Sequence, residues 1–97
     1  MSREADIERR MALLAQDDGG RLIKFVSPSF RGMPDRLLLH PAYAQATFVE
    51  VKRPGGVVSP IQQQTHRLLR ELGCDIHTLD DVDEFAKLIA DLRRESE

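Results

Sequence analysis

Two short runs, GMPDRLLL at 32–39 and FVEVK at 48–52, place two carboxylates and an ammonium where they could act together. Gly32 and Pro34 force a sharp turn before Asp35, and Pro34 biases Met33 away from helix. Asp35 then opens a strand, where its carboxylate can face a cleft; the plainer reading is an aspartate that ends a turn. Glu50 and Lys52 lie two apart on a second strand, so both project from one face, with backbones ~7 Å apart. Taken alone, that pair also reads as a loose ion pair on an edge strand. If the two strands are antiparallel neighbours, Asp35 lies beside Glu50, and converging carboxylates repel unless a divalent cation sits between them. Mg²⁺ fits best, as a hard ion held by one or two carboxylates plus waters and substrate phosphate. It would hold a water or polarise a phosphate, and Lys52 could orient the attacking water or stabilise transition-state charge.

The elements that must position these groups are legible in the hydrophobic pattern. Residues 3–16 put Ile7, Met11, Leu14 and Ala15 on one stripe of an amphipathic helix, with Ser2 as N-cap and Gly19-Gly20 at its end. RLIKFV (21–26) predicts a strand and SPSFRGMP (27–34) a loop. DRLLLH (35–40) predicts a second strand whose leucines imply burial on both faces. PAYAQA (41–46) turns the chain into a third strand, TFVEVK (47–52), so that these two form a hairpin. RPGGVVS (53–59) is a loop. Ser59-Pro60 starts a helix that runs to Leu72 and stops at Gly73. CDIHTL (74–79) is a fourth strand. Asp80 or Asp81 caps a last helix with an apolar stripe of Val82, Phe85, Leu88, Ile89 and Leu92. The order α-β-β-β-α-β-α predicts an α/β sandwich around a mixed four-stranded sheet.

Ninety-seven residues suit one domain, expected over 1–97, and a fold this small gains from dimerisation. The single cysteine, Cys74, rules out an intrachain disulfide and a cysteine-based zinc site, and it suits a reducing cytoplasm. Cys74 reads as core, and His40 and His77 as strand residues without metal-ligand spacing. The charged start MSREADIERR is not a signal peptide, and no apolar run approaches a membrane span. A net charge of −2 is unusual for a nucleic-acid binder. The acids, however, gather at 80–84 and the C-terminus, while Lys24, Arg31, Arg36, Lys52, Arg53, His66, Arg67 and Arg70 occupy the middle. Such an arrangement can make a basic face on a weakly acidic protein.

With these residues in view, the chain resembles the PD-(D/E)XK nucleases: Pro34-Asp35 supplies the PD and Glu50-Val51-Lys52 the EXK. More closely it resembles the virus-type replication-repair nuclease (VRR-NUC) domain of stand-alone phage or bacterial type. Glu4 of the first helix, Arg31 to Arg36, Phe48 to Lys52 and Ser59-Pro60-Ile61-Gln62 follow that family's motifs in order. The resemblance spans about residues 3–80. It implies a restriction-endonuclease-like core and Mg²⁺- or Mn²⁺-dependent endonucleolytic cleavage of DNA. It also implies a homodimer acting on branched DNA such as four-way (Holliday) junctions, as in DNA repair, in the cytoplasm of a bacterium or phage-infected host. Carried over residue by residue, Asp35, Glu50 and the Val51 carbonyl hold the metal and Lys52 is the catalytic lysine. Gln62 positions phosphate or water, and Glu4 is the helix-1 acid, with Glu8 one turn further on as the alternative. Lys24, Arg31 and Arg53 are candidate DNA contacts, against the plain reading of solubilising surface charges. Arg36 should point across the sheet into an ion pair, at a dimer contact or towards DNA. The last helix's apolar face, or an exposed strand, could form a two-fold contact. The competing reading is a catalytically silent DNA-binding or interaction module on the same fold.

Overall fold

A computed structural model describes residues 3–96. Its elements are α1 (Arg3–Asp17), β1 (Arg21–Lys24), β2 (Arg36–Leu39), β3 (Thr47–Val51), α2 (Pro60–Glu71), β4 (Asp75–Leu79) and α3 (Val82–Glu95). The expected order of elements is found, with strands shorter by one or two residues at their ends. The proposed N-cap Ser2 lies outside the described residues. One mixed sheet runs β1-β2-β3-β4, antiparallel at the first two junctions and parallel at the third. The parallel junction requires a crossover, and α2 supplies it.

Period-2 alternation assigns the two faces. Leu38, Val49, Val51 and Leu79 point to one side, where they close a core with Ile7, Met11 and Ala15 of α1 and Phe85, Leu88 and Ile89 of α3. The apolar stripe of α3 is thus consumed inside the protomer, Phe85 being fully buried, which removes it as a two-fold contact. On the opposite side α2 packs over β4, covering Ile76 and Glu50. The central strand is therefore buried on both faces.

The second strand is not. Leu38 is buried, but Leu39 is exposed and Leu37 half-buried, against the expectation from three successive leucines. The reason is geometric: α2 lies towards β4, so none of the described helices covers the far face of β1 and β2. Cys74 likewise is half-buried, just before β4 begins, rather than in the core.

Local chemistry explains the ends. β1 gives way at Phe25, whose amide still reaches the Asp35 carbonyl at 2.9 Å before Ser27-Pro28 turn the chain out. The Phe25 ring meets Phe48 edge-on at 5.6 Å. Ser59 caps α2 with Pro60 at the first helical position, and Asp81, not Asp80, caps α3 by accepting from the Asp83 amide. The hairpin register pairs Arg36 with Val49, and one further step brings Asp35 opposite Glu50.

Candidate active site

Asp35 sits at the mouth of β2, where three separate features fix it. Gly32 has φ +82° and lies so close to α2 that a Cβ there would fall 2.6 Å from the Ile61 carbonyl and the Thr65 hydroxyl. Thr65 Oγ1 donates to the Arg31 carbonyl at 2.7 Å, tying the loop to the helix. Asp35 Oδ1 then accepts from the Val51 amide at 3.2 Å. The carboxylate is thereby held against β3 although it belongs to β2.

Two acids from α1 join it. Glu4, Glu8 and Asp35 each offer a carboxylate oxygen within 4.8 Å of the others, the single such group among the described residues. Glu4 and Glu8 are one helical turn apart, so a helix laid across the end of β2 delivers both. Their situations differ. Glu8 is paired with Arg36 Nη2 at 2.5 Å, whereas Glu4 makes no ion pair among the described residues. Arg36, expected on the other side of the sheet from Asp35, is largely buried in this pair, but its Nη1 also donates to the Asp35 carbonyl at 2.8 Å and lies 3.8 Å from Asp35 Oδ2.

Glu50 and Lys52 form a second group. They share a face as expected, with Lys52 Nζ 3.5 Å from Glu50 Oε2. Glu50 is 3% exposed, and its Oε1 has no partner among the described residues. Burial, and then the charge of Asp35, push its pKa up from 4.5 to about 7, while the Lys52 ammonium and Gln62 amide favour the charged form. Asp35 and Glu50 thus sense each other, although Glu50 is outside the trio formed with the helix-1 acids.

Gln62 reaches this group through the cap of its own helix. Its Oε1 accepts from the Ser59 amide at 3.0 Å while Ser59 Oγ accepts from the Gln62 amide at 3.3 Å, a reciprocal capping box. With the oxygen committed to the cap, the NH₂ end is what Gln62 offers to Glu50. The neighbouring Gln63 instead donates to the Val58 carbonyl at 3.0 Å.

The cationic candidates are more scattered. Lys24, Arg31 and Arg53 are exposed, and their side chains make no ion pair among the described residues. Arg53 begins a turn, closed by the Gly56 amide on the Arg53 carbonyl at 2.8 Å, in which Gly55 has φ +79°. That turn folds back so tightly that a Cβ on Gly56 would lie 3.3 Å from Lys52 Cβ. His66 departs from expectation. It is not part of an exposed basic face but is 2% exposed, with Nε2 lacking a partner among the described residues. Burial, then the charges of Arg70 and Lys52, lower its pKa, so the imidazole is neutral. Nothing in the sequence separates His66 from its exposed neighbours, because its burial depends on which side of α2 meets the sheet. His40 and His77 are tied to Asp18 and Asp75, away from the acidic group.

The donors are all oxygens, the set preferred by hard divalent cations. A buried Glu50 oxygen without a partner among the described residues, close enough to feel the charge of Asp35, is an arrangement that such a cation completes. The residues present therefore fit a metal of that kind.

A small α/β fold of this topology, with three acids converging at the mouth of one central strand and a lysine on the next, is of nuclease type. The family profile of the VRR-NUC domain matches residues 5–80, and the chain belongs to that family, which carries a nuclease domain. A phage protein named "Putative nuclease p44", from Acyrthosiphon pisum secondary endosymbiont phage 1, is 41% identical over 81 residues, covering 84% of this chain and 86% of its own. A solved structure described as a VRR_NUC domain superposes with a TM-score of 0.82 at 24% identity, over 93% of this chain and 97% of that one, and shares the fold. No helix among the described residues is long and apolar enough to cross a membrane.

Proposed function

We propose that the chain is a divalent-metal-dependent endonuclease that hydrolyses phosphodiesters in DNA. The observation that carries this reading is the buried Glu50 carboxylate, with one oxygen unpartnered among the described residues, lying beside Asp35 and Lys52. Asp35, Glu50 and the Val51 carbonyl would hold Mg²⁺ or Mn²⁺, with Glu4 as the additional acid because Glu8 is committed to Arg36. The ion would neutralise charge at the phosphate and lower the pKa of a water.

The protein's own groups do the rest. Lys52, restrained by Glu50, offers its remaining N–H groups to a non-bridging phosphate oxygen, where negative charge grows in the transition state. Gln62, fixed by the Ser59 cap, holds the orientation of Glu50. The Val51 amide holds Asp35 so that the two carboxylates keep their separation whether or not substrate is present. Lys24, Arg31 and Arg53 supply outer phosphate contacts.

The substrate we favour is branched DNA, cut by a homodimer. Two symmetric incisions need two sites, and a two-fold pair of small protomers supplies them. The uncovered face of β1 and β2, where Ile23 and Leu39 are exposed, supports a protomer contact on that side. A cleavage panel of linear duplex, single strand, flap, splayed arm and four-way junction, each with Mg²⁺, Mn²⁺ or chelator, tests the proposal. Metal-dependent cutting of the junction in preference to the linear forms is expected. Binding without cutting in every metal would instead identify a silent module.

A further inference from the structure

A groove of about 550 Å³ opens between α2 and β4 on the side of the sheet that carries Glu50. Arg67 and Arg70 form one wall, Thr78 stands on the other, and His66 also lines it. Thr78 is the register partner of Glu50 on the adjacent strand, so the groove starts one strand spacing, ~4.8 Å, from the proposed reaction centre. Arg67 and Arg70 are three apart and so are neighbours on the helix surface. Arg70 spends one N–H on the Ile76 carbonyl at 3.2 Å, which braces the guanidinium against β4 and leaves its other donors. Arg67 makes no ion pair among the described residues, although Glu71 also lines the groove.

Charge and satisfaction point the same way. His66 is buried and neutral, and its Nε2 lacks a partner among the described residues, an unfavourable state for a buried polar group. The cations whose charges act on it, Arg70 and Lys52, belong to the groove and the reaction centre respectively. A string of cationic groups thus runs from Lys52 past His66 to Arg70 and Arg67. A nucleic-acid strand carries a charge every ~3.4 Å of duplex axis, so a strand with one phosphate at Glu50 would bring a neighbouring one to this groove.

We propose that the α2–β4 groove is a second phosphate subsite, gripping the backbone of the cut strand beside the scissile bond through Arg67 and Arg70. This rests on the nuclease reading of the Asp35–Glu50–Lys52 centre and adds a specific path for the strand. Glu71 is the opposing charge in the groove and limits its affinity.

The test uses the full-length protein and a fluorescein-labelled four-way junction, with binding followed by anisotropy in chelator across a series of salt concentrations. Hydrolysis of bis(p-nitrophenyl) phosphate, too small to reach the groove, is measured with Mn²⁺ in parallel. Arg67→Ala and Arg70→Gln are each expected to weaken junction binding roughly three- to tenfold and to flatten the log–log salt slope by about 0.9. Small-diester hydrolysis should be unchanged, and Glu71→Gln should tighten binding. Arg70→Lys separates folding from contact, because it keeps the charge and should restore most of the salt slope. Wild-type affinity and slope in both arginine variants, with small-diester hydrolysis intact, would overturn the groove and leave the nuclease standing. A wild-type protein that neither binds the junction nor hydrolyses the diester would remove both readings.

Discussion

Asp35 accepts a hydrogen bond from the backbone amide of Val51, the residue between Glu50 and Lys52, at 3.2 Å. The first acid of the site is thus fastened to the strand that carries the second acid and the lysine. The spacing of the carboxylates then follows from sheet geometry rather than from a bound ion, and the site is preorganised.

That bond makes Asp35→Asn a clean probe. The asparagine carbonyl can still accept from the Val51 amide, so the melting temperature should change by no more than about 2–4 °C, equivalent to about 0.5 kcal/mol for a domain of this size. Cleavage of DNA should fall by roughly 10²–10³-fold, as when a preorganised electrostatic group is removed. Calorimetric unfolding and a single-turnover cleavage assay on the same preparation check both halves.

Glu50 gives a pH-dependent signature. Its pKa is raised from 4.5 to about 7, so between those pH values the folded, metal-free protein holds a proton that the unfolded chain releases. The stability from this proton is complete below about pH 4.5 and is lost as pH rises through about 7, a span of roughly 3 kcal/mol. Glu50→Gln lacks that dependence. Urea unfolding in chelator from pH 5 to 8 should therefore show the wild type losing stability relative to Glu50→Gln. Taking the difference between the two proteins cancels the contribution of His66.

Metal should reverse the trend in the wild type alone. At 100 times its dissociation constant, a cation bound only by the folded state adds about 2.7 kcal/mol. Mn²⁺ or Mg²⁺ at pH 8 should raise the melting temperature of the wild type and leave that of Glu50→Gln nearly unmoved. Equal shifts in both proteins would place the ion elsewhere.

Gly32 carries a steric prediction. Its φ of +82° and the 2.6 Å approach to Ile61 and Thr65 leave no space for a side chain. Gly32→Ala should destabilise by roughly 2–4 kcal/mol through strain and overpacking, and displace Asp35 with the loop. Denaturant melts give the first quantity and residual cleavage in the folded fraction gives the second.

Ser59→Ala separates a cap from a site. Loss of the N-cap should cost about 1 kcal/mol. It also releases the Gln62 side chain, so cleavage should fall by more than the loss of folded protein explains. Gln62→Glu keeps an acceptor for the Ser59 amide but sets a second carboxylate beside Glu50, and activity should fall further. A Ser59→Ala enzyme with full activity per folded molecule would detach the cap from the site.

Much of this was legible in the chain because it is local. Heptad-like spacing of Ile7, Met11 and Leu14, the Ser59-Pro60 start and the Gly73 stop mark helices without reference to anything distant. The two-residue period alone puts Glu50 and Lys52 on one face. The three leucines of β2 misled because burial is a property of neighbours: only contact with α1 and α3 on one side distinguishes Leu38 from Leu39.

Local patterns were enough for the seven elements, their order, and the acids and lysine at the ends of the central strands, since periodicity, caps and turns act over a few residues. Only the packed structure decided that Glu4 and Glu8 both meet Asp35, that Arg36 engages Glu8, and that Glu50 and His66 are enclosed. Those outcomes depend on how α1 and α2 settle across the sheet, and no local spacing encodes the desolvation that results.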